Sequence, residues 1–137
     1  MPTKSRRRKT SVAVQYAVPR RGLPSAASLR RWARVCFSRK LVLRLVGEKE
    51  GRRLNREFRG KSKATNVLSF DSGDIVLCHP VVAREARAQG KTLAAHYAHL
   101  VVHGALHLRG YAHGRRMEAR EIRVLRRLGF ADPYAVK

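Results

Sequence analysis

The stretch HGALHLRGYAHG, residues 103–114, brings three histidines close together in the chain. His103 and His107 are four residues apart, so their side chains would lie on one face of a helix. Gly110 permits a sharp reversal of the backbone, which would return His113 to the same point. Three neutral imidazoles that bind zinc leave a fourth position for water, as in catalytic rather than closed structural sites. The stretch therefore predicts a metal site at the end of a helix.

A competing helical pair is His99 with His103, which has the same spacing. His99 and His107 would lie about 12 Å apart along a helix axis, so one ion cannot bind both. The pair formed by His103 and His107 is favoured, because the glycine and the third histidine follow it. His96 and His99 are interpreted as residues that line the site or support a ligand. A helix whose histidines bind no metal is the disfavoured alternative.

The same stretch matches the zinc-protease pattern H-E-x-x-H-x-x-G-x-x-H at every fixed position except the glutamate. It therefore predicts a zincin-like metal-binding helix. Gly104 stands where those proteases carry the carboxylate that activates water, so peptide hydrolysis by that route is not expected. In a phosphodiester, charge develops on phosphoryl oxygens, which a metal cation and an arginine can stabilise. Within a strongly cationic protein, as this one is, such a metal site favours cleavage of RNA over cleavage of peptides.

The charge balance points to a polyanionic partner. The 137 residues include 31 Lys and Arg against 9 Asp and Glu, a formal net charge of +22, and no acidic residue precedes Glu48. Such a field attracts nucleic acid and makes binding depend steeply on salt. Charge alone does not separate RNA from DNA, but no groove-reading helix of a DNA-binding protein stands out. RNA is therefore the expected partner.

The cysteines and the apolar runs restrict the setting. Cys36 and Cys78 are too few for a disulfide framework and do not form a C-x-x-C pair, so both are interpreted as buried thiols. No apolar run approaches the roughly 20 residues of a membrane span, and no secretory signal is recognised. We expect a cytoplasmic protein that does not enter a membrane.

Length and periodicity predict a single domain, residues 11–137, after a basic flexible arm, residues 1–10. Four strands are predicted, at 11–17, 41–46, 67–70 and 74–78. Five helices are predicted: one opened by Pro24-Ser25, one over 48–58, one from His79-Pro80 to Gly90, one capped by Thr92 and ending near Leu108, and one over 115–128. Leu54 and Phe58 are expected to face the core. Together the elements predict a small mixed sheet covered by helices.

Two motifs resemble those of a known family. HGALHLRGYAH, residues 103–113, is similar to H-G-x-L-H-L-x-G-Y-D-H, the signature of the YbeY-type endoribonucleases, which are bacterial rRNA maturation factors. NREFRGKSKATNVLSF, residues 55–70, looks like the same family's N-x-x-[FY]-R-G-K-x-x-x-T-[DN]-V-L-[ST]-F. The similarity begins near residue 11 and continues into MEAREIRVLRRLGF, residues 117–130.

The resemblance implies an α+β fold with a mixed four-stranded sheet. It also implies one zinc ion bound by His103, His107 and His113, and a functional role for Arg59, whose guanidinium can grip phosphate oxygens. The implied activity is cleavage of single-stranded RNA in 16S rRNA 3′-end maturation and ribosome quality control. The implied partners are a 16S rRNA precursor and the small ribosomal subunit. Water and the RNA 2′-OH are both left open as the nucleophile.

The sequence departs from the family pattern at two places. Ala112 replaces the acidic residue before the third histidine, and loss of a carboxylate that supports a ligand typically costs about 10–100-fold in metal affinity or activity. The segment after His113 is a few residues short, and Arg115 and Arg116 follow almost directly. These departures keep an alternative open, namely a basic RNA-binding ribosome-assembly factor whose metal is only structural.

Overall fold

The computed structural model describes residues 11–135. The predicted basic arm, residues 1–10, lies outside them. Within this range the chain forms four strands: β1 (Val12–Tyr16), β2 (Leu41–Val46), β3 (Val67–Phe70) and β4 (Asp74–Cys78). It also forms five helices: α1 (Ala26–Arg34), α2 (Glu48–Arg59), α3 (His79–Gln89), α4 (Leu93–Leu108) and α5 (Arg115–Arg127).

The strands form one mixed sheet in the order β1-β2-β4-β3. The β1–β2 and β2–β4 pairings are parallel, whereas β3 and β4 pair antiparallel. A tight turn joins β3 to β4, in which Gly73 adopts a φ of 95° and its N–H donates to the Phe70 carbonyl at 2.9 Å. This arrangement confirms the predicted α+β class and its small four-stranded sheet.

Alternate residues of the strands serve two separate cores, because successive side chains point to opposite faces of a sheet. The larger core includes Ile75 and Leu77 of β4 and lies under α1, α4 and α5. The smaller one includes Val76 and Cys78 and packs against α2 and α3. Cys36 and Cys78 are both buried free thiols, as the sequence predicted.

Helix α4 carries the histidines and is mostly buried. Thr92 caps its start by accepting a hydrogen bond from Ala95 N–H at 3.1 Å. Its end closes where Tyr111 N–H donates to the Leu106 carbonyl at 3.1 Å and Gly110 takes a φ of 101°. The predicted reversal at Gly110 is therefore present. No helix in the described part of the chain combines the length and apolar character needed to cross a bilayer.

One core expectation is wrong. Phe58 is 54% exposed, although its ring meets the edge of the Phe70 ring at 5.3 Å. The face of α2 turned toward the protein consists of Gly51, Leu54 and Asn55, and Leu54 packs on the smaller core as expected. Phe58 instead reaches the rim of edge strand β3. Helical spacing alone could not show that the buried face of α2 ends before the last helical turn, which carries Phe58.

Candidate metal centre

The three histidines that the sequence predicts as ligands converge on one point. His113 Nε2 lies 2.9 Å from His107 Nε2 and 3.3 Å from His103 Nε2. Nitrogens bound at about 2.0–2.1 Å to a tetrahedral zinc ion lie about 3.3 Å from one another. The three imidazoles form a group that could hold a metal ion. Nitrogen donors of this kind suit zinc, and three of them leave one position open.

The other ring nitrogens of the two helical histidines are already engaged. His103 Nδ1 lies 2.5 Å from Glu121 Oε2, and His107 Nδ1 lies 3.0 Å from the Tyr111 carbonyl oxygen. Because both partners are acceptors, each Nδ1 is the donor of its hydrogen bond, which leaves each Nε2 facing the point where the three rings converge. Burial, and then the neighbouring histidines, lower the pKa of His107, which favours its neutral form. The rings are thus oriented for metal binding.

Glu121 of α5 is a site residue that the sequence reasoning missed. Its carboxylate is fully buried, and it accepts hydrogen bonds from His103, from His99 at 3.1 Å and from the Tyr134 hydroxyl. Burial alone would raise the pKa of Glu121, but these hydrogen bonds outweigh it and bring the pKa to about 2. Glu121 therefore stays ionised and supports His103 from behind. A carboxylate–histidine–metal arrangement of this kind raises the basicity of the ligand.

The sequence did contain a signal for Glu121. On α5 the buried positions are Met117, Glu121, Val124 and Leu125, spaced as the apolar face of a helix. A glutamate on that face must have a buried partner, because an unpaired buried charge is strongly unfavourable. His99, His103 and Glu121 also form a second group with metal-ligating atoms close together. We interpret Glu121 there as an acceptor, since His103 Nδ1 already donates to it.

Gly104 has a packing reason that the protease pattern did not reveal. A Cβ atom at this position would lie 3.0 Å from Ser69 Oγ and 3.1 Å from two carbon atoms of Ile75. The glycine therefore lets α4 approach β3 and β4 closely, and Ser69 Oγ donates to the Gly104 carbonyl at 3.3 Å. A side chain here would point into the sheet, so the chain has no room for the protease glutamate.

Arg59, to which the family resemblance gives a functional role, lines the same pocket as the three histidines. The pocket encloses about 470 Å³ and is bordered by the segment that leads into β3, including Thr65 and Asn66. The Arg59 guanidinium donates to the Ser69 carbonyl and to the Phe58 carbonyl, each at 3.0 Å. These contacts hold a cation at the rim while leaving further N–H groups for a ligand.

A part-buried network of hydrogen bonds ties Asn66, at the wall of this pocket, to α3 and α4. Asn66 Nδ2 donates to Glu85 Oε1 at 2.9 Å, and the same oxygen lies 2.8 Å from His96 Nε2. Burial lowers the pKa of His96, although Glu85 opposes the shift. Among the described residues, His96 belongs to neither group of metal-ligating atoms, and its Nε2 is already engaged by Glu85. His96 contacts Glu85, and His99 donates to Glu121. Both positions agree with the interpretation that these histidines surround the site rather than bind the metal.

Comparison with known proteins identifies the family. The model of the family described as Endoribonuclease YbeY matches residues 23–130, which is most of the chain.

The chain belongs to the YbeY family.

Curated relatives named Endoribonuclease YbeY match over most of their length. The protein from Xanthomonas oryzae pv. oryzae (strain MAFF 311018) is 50% identical, over 90% of this chain and 92% of the relative. The one from Aromatoleum aromaticum is 53% identical over 82% of each chain. The Nitrosomonas europaea relative is 46% identical over 92% of this chain and 85% of its own.

The fold also has a solved counterpart. The solution structure of TM1509 from Thermotoga maritima superposes with a TM-score of 0.56, at 22% identity, over 91% of this chain and 99% of the other. At this identity the likeness concerns the fold alone. It supports the mixed sheet and its helices as a shared architecture.

Against the YbeY pattern, the loop at the third histidine is the unusual part. His113 and Ala112 are both exposed. Within residues 11–135 no hydrogen-bond acceptor meets His113 Nδ1, in contrast to Nδ1 of His103 and of His107. Arg115 and Arg116 begin α5 and border the same shallow depression as His113. His113 is therefore the least supported of the three histidines.

Proposed function

We propose that the protein is a zinc-dependent endoribonuclease that cleaves single-stranded RNA in the cytoplasm, acting in 16S rRNA 3′-end maturation and ribosome quality control. The observation that carries the proposal is the convergence of His103, His107 and His113 in one pocket with Arg59. The formal charge of +22 and the names of the YbeY relatives support RNA as the substrate. The same reasoning makes residues 11–137 one catalytic domain, with the 16S rRNA precursor on the small ribosomal subunit as its partner.

In this proposal each side chain has a defined task. The histidines bind one zinc ion, which when bound supplies a Lewis acid for a phosphoryl oxygen. Arg59 donates hydrogen bonds to the non-bridging oxygens on which charge develops. Glu121 keeps His103 in the orientation and tautomer that binding requires. Either water or the RNA 2′-OH acts as the nucleophile.

Cleavage of single-stranded RNA by matched variants tests the proposal. The zinc-loaded parent is expected to cleave, whereas His107→Ala should lose activity with its zinc. Arg59→Ala should keep its zinc and lose about 10²–10³-fold in rate, as expected for loss of one group that stabilises developing charge. Arg56→Ala is the control, because it removes an exposed arginine from the same helix. Equal cleavage by the parent and both site variants would show that the site is wrong.

A second candidate function is a non-catalytic RNA-binding assembly factor with a structural metal. The observation that favours it is the poorly supported His113 beside Ala112 and Arg115. This candidate predicts that the parent binds zinc and RNA without cleaving. It also predicts that His107→Ala lowers thermal stability more than it changes RNA affinity.

A further inference from the structure

A second cleft lies beside the metal pocket. It encloses about 840 Å³, compared with about 470 Å³ for the metal pocket. Asp71 and Leu108 line both cavities, so the two meet there. Leu108 directly follows His107, and the cleft therefore begins one residue beyond a histidine of the metal group.

The cleft is cationic. Its lining carries four exposed basic side chains against one carboxylate, that of Asp71. The four are Arg34, Arg39, Lys40 and Arg109. Within residues 11–135, none of these four side chains forms an ion pair. The arginines that do are paired with glutamates of α2. The charge of the four side chains is therefore available to a ligand.

Three separate elements bring these cations together. Arg34 lies in the last turn of α1, Arg39 and Lys40 precede β2, and Arg109 follows α4. Arg109 Nη1 donates to the Cys36 carbonyl at 3.4 Å, which holds its guanidinium on the cleft wall.

The adjoining thiol does not offset this charge. Burial raises the pKa of Cys36 to about 11, although Arg109 and Arg120 oppose the shift. Cys36 is therefore neutral near pH 7, and the four cations face the cleft with only Asp71 against them.

We propose that this cleft is a second phosphate-binding segment, which holds the backbone of single-stranded RNA beyond the nucleotide at the metal pocket. The inference rests on the proposed function and deepens it. A strand that crosses the metal pocket reaches the cleft where Asp71 and Leu108 border both cavities. Guanidinium and ammonium groups spread along such a groove track successive phosphates without reading bases. The cleft thereby favours substrates long enough to occupy both cavities.

RNA length and salt together provide the test. The double variant Arg39→Ala/Lys40→Ala is compared with Arg123→Ala/Arg127→Ala, which removes two exposed arginines from α5 and so has the same net charge. Binding of labelled oligouridylates of about 4 and about 12 nucleotides to the zinc-loaded proteins is measured by fluorescence anisotropy over a salt series, before cleavage products accumulate.

The cleft variant should bind the longer RNA about tenfold more weakly at low salt. Its plot of log affinity against log salt should be less steep by about 1.4, the value for two lost phosphate contacts. The shorter RNA should bind the cleft variant and the parent alike, and the control variant should keep the parent's slope with both lengths.

Each contrary result has its own meaning. Equal loss of slope in both double variants would overturn the cleft proposal in favour of general charge attraction. If the cleft variant lost more affinity for an RNA duplex of the same length than for the single strand, single-stranded RNA would be the wrong ligand. If the parent cleaves with dependence on His107 while the cleft variant behaves like the control, the cleft proposal fails and the proposed function stands. If the cleft variant shows its length-dependent loss but the parent does not cleave, the nuclease function fails instead.

Discussion

At the scale of single residues, Glu121 is the side chain that orients His103, because its carboxylate accepts the hydrogen bond from His103 Nδ1. Glu121→Gln keeps the shape of the side chain but removes the charged acceptor of His103 Nδ1. We expect zinc affinity to fall by about 10–100-fold, measured by competition with a chromophoric chelator. Glu118→Gln is the matched control, since Glu118 is exposed on the same helix. An equal effect of both variants would show that helix charge, rather than the contact with His103, sets the affinity.

Gly104 offers a direct comparison with the protease pattern. Gly104→Glu would force a side chain against Ser69 and Ile75, and would also bury a carboxylate without a partner. Overpacking together with the unpaired charge should lower the free energy of unfolding by at least about 3 kcal/mol, as measured by urea denaturation. Gly104→Ala should cost much less, because the neighbours need to give by only a few tenths of an ångström and alanine favours the helix by about 1 kcal/mol. A stable Gly104→Glu protein would contradict the close approach of α4 to the sheet.

Ala112 is a position where metal binding can be improved. Ala112→Asp would place a carboxylate next to His113, whose Nδ1 has no acceptor among residues 11–135. It would also offset the nearby Arg115 and Arg116. We expect zinc to bind about tenfold more tightly, in the same chelator competition. Ala131→Asp adds the same charge at another exposed position and should leave the affinity unchanged. If both substitutions act equally, net charge is the cause.

At the scale of elements, the metal group joins α4 to α5. His103 and His107 belong to α4, His113 lies in the connecting loop, and Glu121 comes from α5. A ligand that binds the folded state alone stabilises it by about 2.7 kcal/mol at a concentration 100 times its dissociation constant. Zinc should therefore raise the melting temperature of the metal-free protein in calorimetry. The rise should be absent in a variant with all three histidines changed to alanine, and a rise there would indicate zinc binding elsewhere.

Local patterns predicted the elements well and their long-range contacts poorly. Helix α4 begins after Thr92 and ends before Gly110, as predicted, because capping and a left-handed backbone are properties of a few neighbouring residues. The convergence of the three histidines also followed from local spacing. Glu121 was missed because its partner lies 18 positions earlier, and no helical period connects the two. The exposure of Phe58 was missed because it depends on where the neighbouring strand lies.

At the scale of the whole molecule, charge should dominate RNA binding. If the four cleft cations each contact one phosphate, log affinity for a long single strand should fall with log salt with a slope of about −2.8 or steeper. Anisotropy titrations from low to moderate salt measure that slope. A shallower slope would mean that fewer than four of the basic residues contact phosphates of the bound strand.

The order of elements along the chain sets an order of events during synthesis. Every strand of the sheet precedes residue 79, whereas the histidines of the metal group and Glu121 follow it. At about 5–20 residues per second, the last residue of β4 is added some seconds before Glu121. The face of the sheet that carries the larger core is fully covered only after this point, because α4 and α5 both follow the last strand. If the three histidines bind zinc as proposed, uptake of the ion would be a late step of biogenesis, because every residue of the metal group is added after the last strand.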